Sequence, residues 1–143
     1  MKPDSKFNLV KEMLETAAVI KNFDFSQTNA IAEEVKATGK LMLTGEGSSR
    51  IFPAKNLMYY FQKMGVDIAV NTDGAYQASE YDLSKSVVMV ASNSGKTKEA
   101  VTLIKKLQED GHQKIYGVTA TANTPIADLP NASVVLSCGP EEA

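Results

Sequence analysis

Two short stretches hold most of the residues suited to chemistry: Ser92-Asn93-Ser94-Gly95-Lys96-Thr97 and Gly45-Glu46-Gly47-Ser48-Ser49-Arg50. Each follows a short apolar run and precedes a helical pattern, which places both on strand-to-helix corners. At such a corner, small hydroxyl and amide side chains stand beside backbone N–H groups that the first helical turn leaves without partners. The positive end of the helix dipole lies there too, and the combination suits a phosphate. Ser92, Asn93, Ser94 and Thr97 can each donate. A hydrogen bond to a charged group contributes about 1.5–3 kcal/mol and the dipole about 0.3–1 kcal/mol, so three or four donors hold a phosphate without an arginine fork. Ser48 and Ser49, on the neighbouring corner, reach either that phosphate or a hydroxylated body attached to it. Gly45 and Gly47 permit close approach, and Lys96 either adds charge or faces water.

The same letters admit other readings. A nucleotide P-loop needs a glycine five residues before Gly95, and Val90 stands there instead, so the Gly-Lys-Thr triplet does not complete that pattern. Gly45 and Gly47 supply two glycines of a dinucleotide fingerprint, but Arg50 occupies the place of the third, and Asp67 or Asp73 would have to serve as the ribose acid. Serine, asparagine and glycine also build turns and caps with no ligand at all. Convergence of both loops on one crevice is what favours a binding site over that plain reading.

Those corners must be positioned by regular elements, and the chain alternates between two hydrophobic periods. Phe7, Val10, Leu14, Ala17 and Ala18 recur at helical spacing, and Ser26 fits the N-cap of a second helix carrying Ala30, Ile31 and Val35. Lys40–Gly45 is a strand. A helix over 52–64 follows, with Pro53 in its first turn, Leu57, Tyr60, Phe61 and Met64 on one face, and Gly65 past its end. Strands are expected over 66–71, 86–92, 114–120 and 133–138, a helix over 97–110, and a turn or single helical turn over 123–130. Five such runs separated mostly by helices predict an α/β fold: a three-layer, doubly wound, five-stranded parallel sheet of flavodoxin-like order 2-1-3-4-5. Residues 1–39 are its N-terminal helices and 40–143 its α/β core, in one domain. Ligands of such sheets bind where the winding reverses, beyond the carboxyl ends of strands one and three, and those are the two polar corners. The irregular 72–85 stretch interrupts the strand–helix alternation.

Composition narrows the classes. A chain of 143 residues, 43% hydrophobic and 22% charged, makes one globular domain. No apolar run approaches the ~20 residues of a membrane span, and the first residues lack a signal-peptide layout, so a cytoplasmic protein without membrane contact is expected. With one cysteine, Cys138, and one histidine, His112, neither a disulfide nor a metal cluster is expected, and no cofactor is called for. A net charge of −2 with scattered lysines argues against nucleic acid.

Gly45-Glu46-Gly47-Ser48-Ser49, Ala78-Ser79-Glu80-Tyr81, Ser92 through Thr97 and Cys138-Gly139-Pro140-Glu141 follow the order and spacing of a SIS (sugar isomerase) domain. The chain most resembles the first SIS repeat of the isomerase half of glucosamine-6-phosphate synthase and related sugar-phosphate isomerases, deaminases and deglycases, over nearly its whole length. The resemblance implies that Ser92, Asn93, Ser94 and Thr97 form the phosphate-binding loop and that Ser49 touches the sugar. It also implies a phosphorylated sugar or amino sugar as ligand, and a homodimer or a second SIS repeat as partner. Glutamine and glutamate often stand in the family where Asn93 and Lys96 stand here.

Pro140, Glu141 and Glu142 fit the first turn of a helix that the sequence does not continue, which would leave one face of the fifth strand uncovered. In the relatives the acid–base glutamate and histidine lie in a second repeat, and no counterpart is expected here. Glu141 is the one carboxylate the motif places near the sugar, and it equally suits a helix-start acid complementing the dipole. Glu46 either touches ligand hydroxyls or, as expected, faces water, and Glu80 either makes a loop contact or is solvated or structural. His112 is expected to be a solvated surface histidine in a polar turn, Cys138 an apolar filler, and Tyr59, Tyr60 and Phe61 core and dimer-facing packing. Three functions follow: the N-terminal half of a sugar-phosphate aldose–ketose isomerase or amino-sugar-phosphate deaminase, a phosphosugar-sensing module without turnover, or a nucleotide-binding domain.

Overall fold

The computed structural model describes residues 7–136 and 138. Its elements run α1 (Asn8–Asn22), a 3-10 turn (Phe25–Thr28), α2 (Asn29–Thr38), β1 (Lys40–Gly45), α3 (Ser48–Met64), β2 (Ala69–Gly74), α4 (Ala75–Ala78), β3 (Val87–Ala91), α5 (Lys98–Glu109), β4 (Ile115–Thr119), α6 (Pro125–Asp128) and β5 (Ala132–Val135). All paired strands are parallel and the sheet order is β2-β1-β3-β4-β5, the order the alternation predicts.

Side chains alternate across the sheet as the pleat requires, so each strand feeds two cores. Met42, Val88, Val90 and Ile115 point to one face and pack against Ala100, Leu103, Ile104 and Leu107 of α5, with Ala75 and Ala78 of α4 and Ile126 of α6. Leu41, Val87 and Val134 point to the other, where Ile31 and Val35 of α2 cover them. Helices on both faces make the three layers. The apolar positions of α5, spaced by three and four residues, bury one stripe and leave its lysines in water.

Several boundaries differ from the expectation, each for a local reason. The Ser26 cap is a correction: α2 has Thr28 as its N-cap, without a side-chain bond, and Ser26 lies in the preceding 3-10 turn, which Asp24 caps by accepting the Ser26 N–H at 2.9 Å. β2 begins three residues later than its apolar run, because Val66 closes the end of α3 by donating its N–H to the Phe61 carbonyl at 2.9 Å, beside the Gly65 N–H bonded to Gln62. α3 begins at Ser48 and takes Pro53 into its body. Within 72–85 the chain finishes β2 and makes the single turn of α4. The aromatic face of α3 is not core: Ala54 is the one buried residue of that helix, and Tyr59, Tyr60 and Met64 are exposed. No residue of α1 is buried in this chain despite its apolar spacing. No described helix is long and apolar enough to cross a membrane.

Candidate functional site

The winding reverses between β1 and β3, and their carboxyl ends are held unusually close. Gly45 pairs with Ala91 in the parallel register, and a Cβ on Gly45 would stand 2.3 Å from the Ala91 carbonyl oxygen. Only a residue without a side chain lets the strands end together here. From this point one chain turns into α3 through Gly47, and the other enters the Ser92–Thr97 loop ahead of α5.

That second loop is built by its own hydroxyls. Ser92 is 3% exposed, and its N–H donates to the Val118 carbonyl at 2.9 Å. Its hydroxyl accepts the Gly95 N–H at 3.1 Å and shares a hydrogen with the Thr97 hydroxyl at 2.7 Å. Ser94 Oγ accepts the Lys96 N–H at 3.3 Å. The Asn93 carbonyl accepts from the Thr119 hydroxyl and the Ala120 N–H, both at 3.1 Å, which ties the loop to the end of β4. Gly95, at φ +67°, lies so close to the β4–α6 connection that a Cβ would meet Thr124 Oγ1 at 2.0 Å. The loop is therefore a rigid collar at the N-terminus of the twelve-residue α5, whose first N–H groups have no intrahelical partners. Asn93 and Ser94 are exposed on its outer turn.

A crevice of about 470 Å³ opens beside the two corners. Ser49, Arg50 and Pro53 of α3 line one side, and Ser92, Asn93, Thr119 and Ala120 line the other. Its floor is apolar, from Leu43, Met89, Val118, Val134 and Leu136, with Phe23 and Thr28 at the rim. Of the residues singled out in the sequence, the structure brings Ser49, Ser92 and Asn93 into this crevice. Gly47 and Ser48 start the helix that carries Ser49, and Ser94 and Thr97 belong to the collar rather than to the lining. Glu141 lies outside the described residues.

Three groups have surroundings that the sequence did not reveal. Glu46 accepts the Ala75 N–H at 2.9 Å, pinning the first loop to the start of α4. Asp73 accepts the Gly74 N–H at 2.8 Å and the Tyr81 hydroxyl at 2.7 Å. These bonds, Tyr81 foremost, hold the Asp73 carboxyl below the usual carboxylate range, and the same contact raises the Tyr81 phenol. Arg50 is the chain's sole arginine, a rarity that was visible in the sequence. Glu80 is exposed and accepts from the Gln77 amide at 3.2 Å. His112 lies at the opposite end of the sheet, in a groove with Tyr81, Asp82 and Leu107, and burial lowers its pKa. Among the described residues, no cluster of three or more His, Cys, Asp or Glu side chains could hold a metal.

None of the curated proteins matches this chain. Among solved structures, a candidate phosphosugar isomerase involved in capsule formation from Bacteroides fragilis is similar at 22% identity and TM-score 0.68, over 88% of this chain and 70% of its own. The c3406 protein of E. coli CFT073 is similar at 22% identity and TM-score 0.71, over 100% of this chain and 81% of its own. The sugar isomerase domain of an RpiR transcription factor from Sphaerobacter thermophilus is similar at 13% identity and TM-score 0.64, over 90% of this chain and 72% of its own. In other similar structures the chain spans 37%, 42% and 50% of the matched length. The sequence profile of the SIS domain matches residues 34–143, and on that ground the chain belongs to the SIS domain family.

Proposed function

We propose that this chain binds a phosphorylated sugar or amino sugar, with the phosphate on the Ser92–Thr97 collar and the first turn of α5, and the sugar body in the crevice beside Ser48 and Ser49. One observation carries the reading: the crevice at the point of winding reversal is lined from both loops, with Ser49 on one side and Asn93 on the other. In this reading the roles within the collar divide. Ser92 and Thr97 spend their hydroxyls on each other and on Gly95, so they shape the loop. Ser94, Asn93 and the N–H groups at the head of α5 meet the phosphate. No metal enters the scheme.

For the parent protein, membership of the SIS family suggests aldose–ketose isomerisation or removal of an amine from an amino-sugar phosphate, with this chain as the N-terminal half of the enzyme. Proton transfer between adjacent carbons needs a base within hydrogen-bond reach of the sugar. Among the described residues, no histidine, aspartate or glutamate lines the crevice, and His112 is at the far end of the sheet. The same observation favours the second reading, a phosphosugar-sensing module without turnover, and similarity to a transcription factor's sugar isomerase domain fits it.

Thermal shift with sugar phosphates, NAD and ATP at matched concentration separates the ligand classes, because a ligand stabilises only the fold that binds it. Sugar phosphates alone should raise the melting temperature. Ser94→Ala should weaken their binding by about 1.5–3 kcal/mol with the fold intact, and unchanged affinity removes the collar from the site. Conversion of a bound sugar phosphate by the isolated chain would refute the sensing reading.

A further inference from the structure

Arg50 stands where helix electrostatics do not want it. It lies in the first turn of α3, at the positive end of the dipole, where a cation is disfavoured. Its five N–H donors are poorly used: Nη1 reaches Thr72 Oγ1 at 3.5 Å, the limit of a hydrogen bond, and Nε is buried with no partner. Asp73 is near enough for its charge to be felt, yet each of its oxygens accepts from another donor, the Gly74 N–H or the Tyr81 hydroxyl. Among the described residues no carboxylate forms an ion pair with Arg50. Arg50 lines the crevice, and a guanidinium with donors left over is matched by a planar anion offering two oxygens side by side.

We propose that Arg50 selects the end of the ligand remote from the phosphate, and that the crevice prefers a phosphosugar bearing a carboxylate there, a sugar-acid phosphate, over one with a neutral end. This rests on the phosphosugar reading above and deepens it. The phosphate remains on the collar. The carboxylate takes two parallel hydrogen bonds from Arg50, and Ser49, one residue away on the same turn, faces the hydroxyls between the two anions. Asp73 and Thr72 act through Arg50 as positioning residues, holding the guanidinium at the crevice wall while offering it no competing fork.

Calorimetric titration of the full chain with matched pairs tests this: gluconate 6-phosphate against glucitol 6-phosphate, and ribonate 5-phosphate against ribitol 5-phosphate, with inorganic phosphate as reference. At least one acid is expected to bind tenfold or more tightly than its alditol. Arg50→Gln should erase that preference while leaving alditol phosphate and inorganic phosphate within about twofold. Arg50→Lys, which keeps the charge and loses the fork, should recover less than half of it in free energy. Melting curves of both variants check that the fold persists. Equal binding of acid and alditol, or a preference that survives in both variants, overturns the proposal and leaves the phosphosugar reading standing. Loss of inorganic phosphate binding in Arg50→Gln also overturns it, by making Arg50 the phosphate site. No binding of any phosphorylated compound overturns both.

Discussion

Replacing Gly95 with alanine should damage the collar in a way that can be apportioned. At φ +67° an L side chain costs about 1–2 kcal/mol by itself. The added methyl would also stand 2.0 Å from Thr124 Oγ1, 2.7 Å from Thr124 Cβ and 2.9 Å from Thr119 Oγ1. Neither neighbour is a flexible chain end: both threonines are buried, Thr124 Oγ1 donates to the Thr121 carbonyl at 2.9 Å, and Thr119 Oγ1 donates to the Asn93 carbonyl. Forcing them apart is overpacking and adds about 1–3 kcal/mol. Gly111 supplies the control, at φ +78° with no atom within 4 Å of its would-be Cβ, so Gly111→Ala carries the backbone strain of about 1–2 kcal/mol alone. Urea unfolding of the two variants should therefore differ by at least about 1 kcal/mol, with Gly95→Ala the weaker. Gly95→Ala should also lose sugar-phosphate binding, and Gly111→Ala should keep it. Equal destabilisation by the two, or undisturbed binding in Gly95→Ala, would show that the collar is not held as described.

Two further outcomes follow from the core and from titration. Ile104→Ala, at a fully buried position of α5 against the sheet, should cost about 2–5 kcal/mol in urea unfolding while leaving the sheet order intact. Burial, with a hydrogen bond to Glu34, pushes the Tyr116 phenol up to about 12, so its contribution is complete below the ordinary tyrosine range near 10 and is lost as pH rises from there through about 12. Ultraviolet titration should show one of the five tyrosines ionising last, and Tyr116→Phe should remove that step and flatten the alkaline loss of stability.

The layers of this fold were legible because their causes are local. Short Val, Ile and Leu runs, the first closed by Gly45, and the stripe from Ala100 to Leu107 announce buried strands and a half-buried helix whatever lies across the sheet. The order 2-1-3-4-5 followed from those runs, and with it the meeting of the two corners. Boundaries failed where a cap competed with a hydrophobic pattern: Val66 reads as a strand residue but serves the end of α3, and Ser26 falls inside a 3-10 turn capped by Asp24, so that α2 starts only after Thr28. Periodicity marked α1 and the aromatic face of α3 as apolar without saying that, among the described residues, α1 buries no side chain and Tyr59, Tyr60 and Met64 stay exposed. At the site, residue types named Ser92 and Thr97 as donors, and only the fold turns their hydroxyls on each other. Glu46 and Arg50 escaped because their partners, Ala75 and Thr72, are 29 and 22 residues away in sequence.

The central claim, that a phosphosugar is held at the reversal point by amides and small hydroxyls, is tested most directly by following backbone amide resonances while a sugar phosphate is added. The largest shifts should fall on residues 93–99 and 47–50, with the strongest at Ser94 and the first turn of α5. Shifts confined to the His112 groove at the other end of the sheet, or none at saturating concentration, would contradict it.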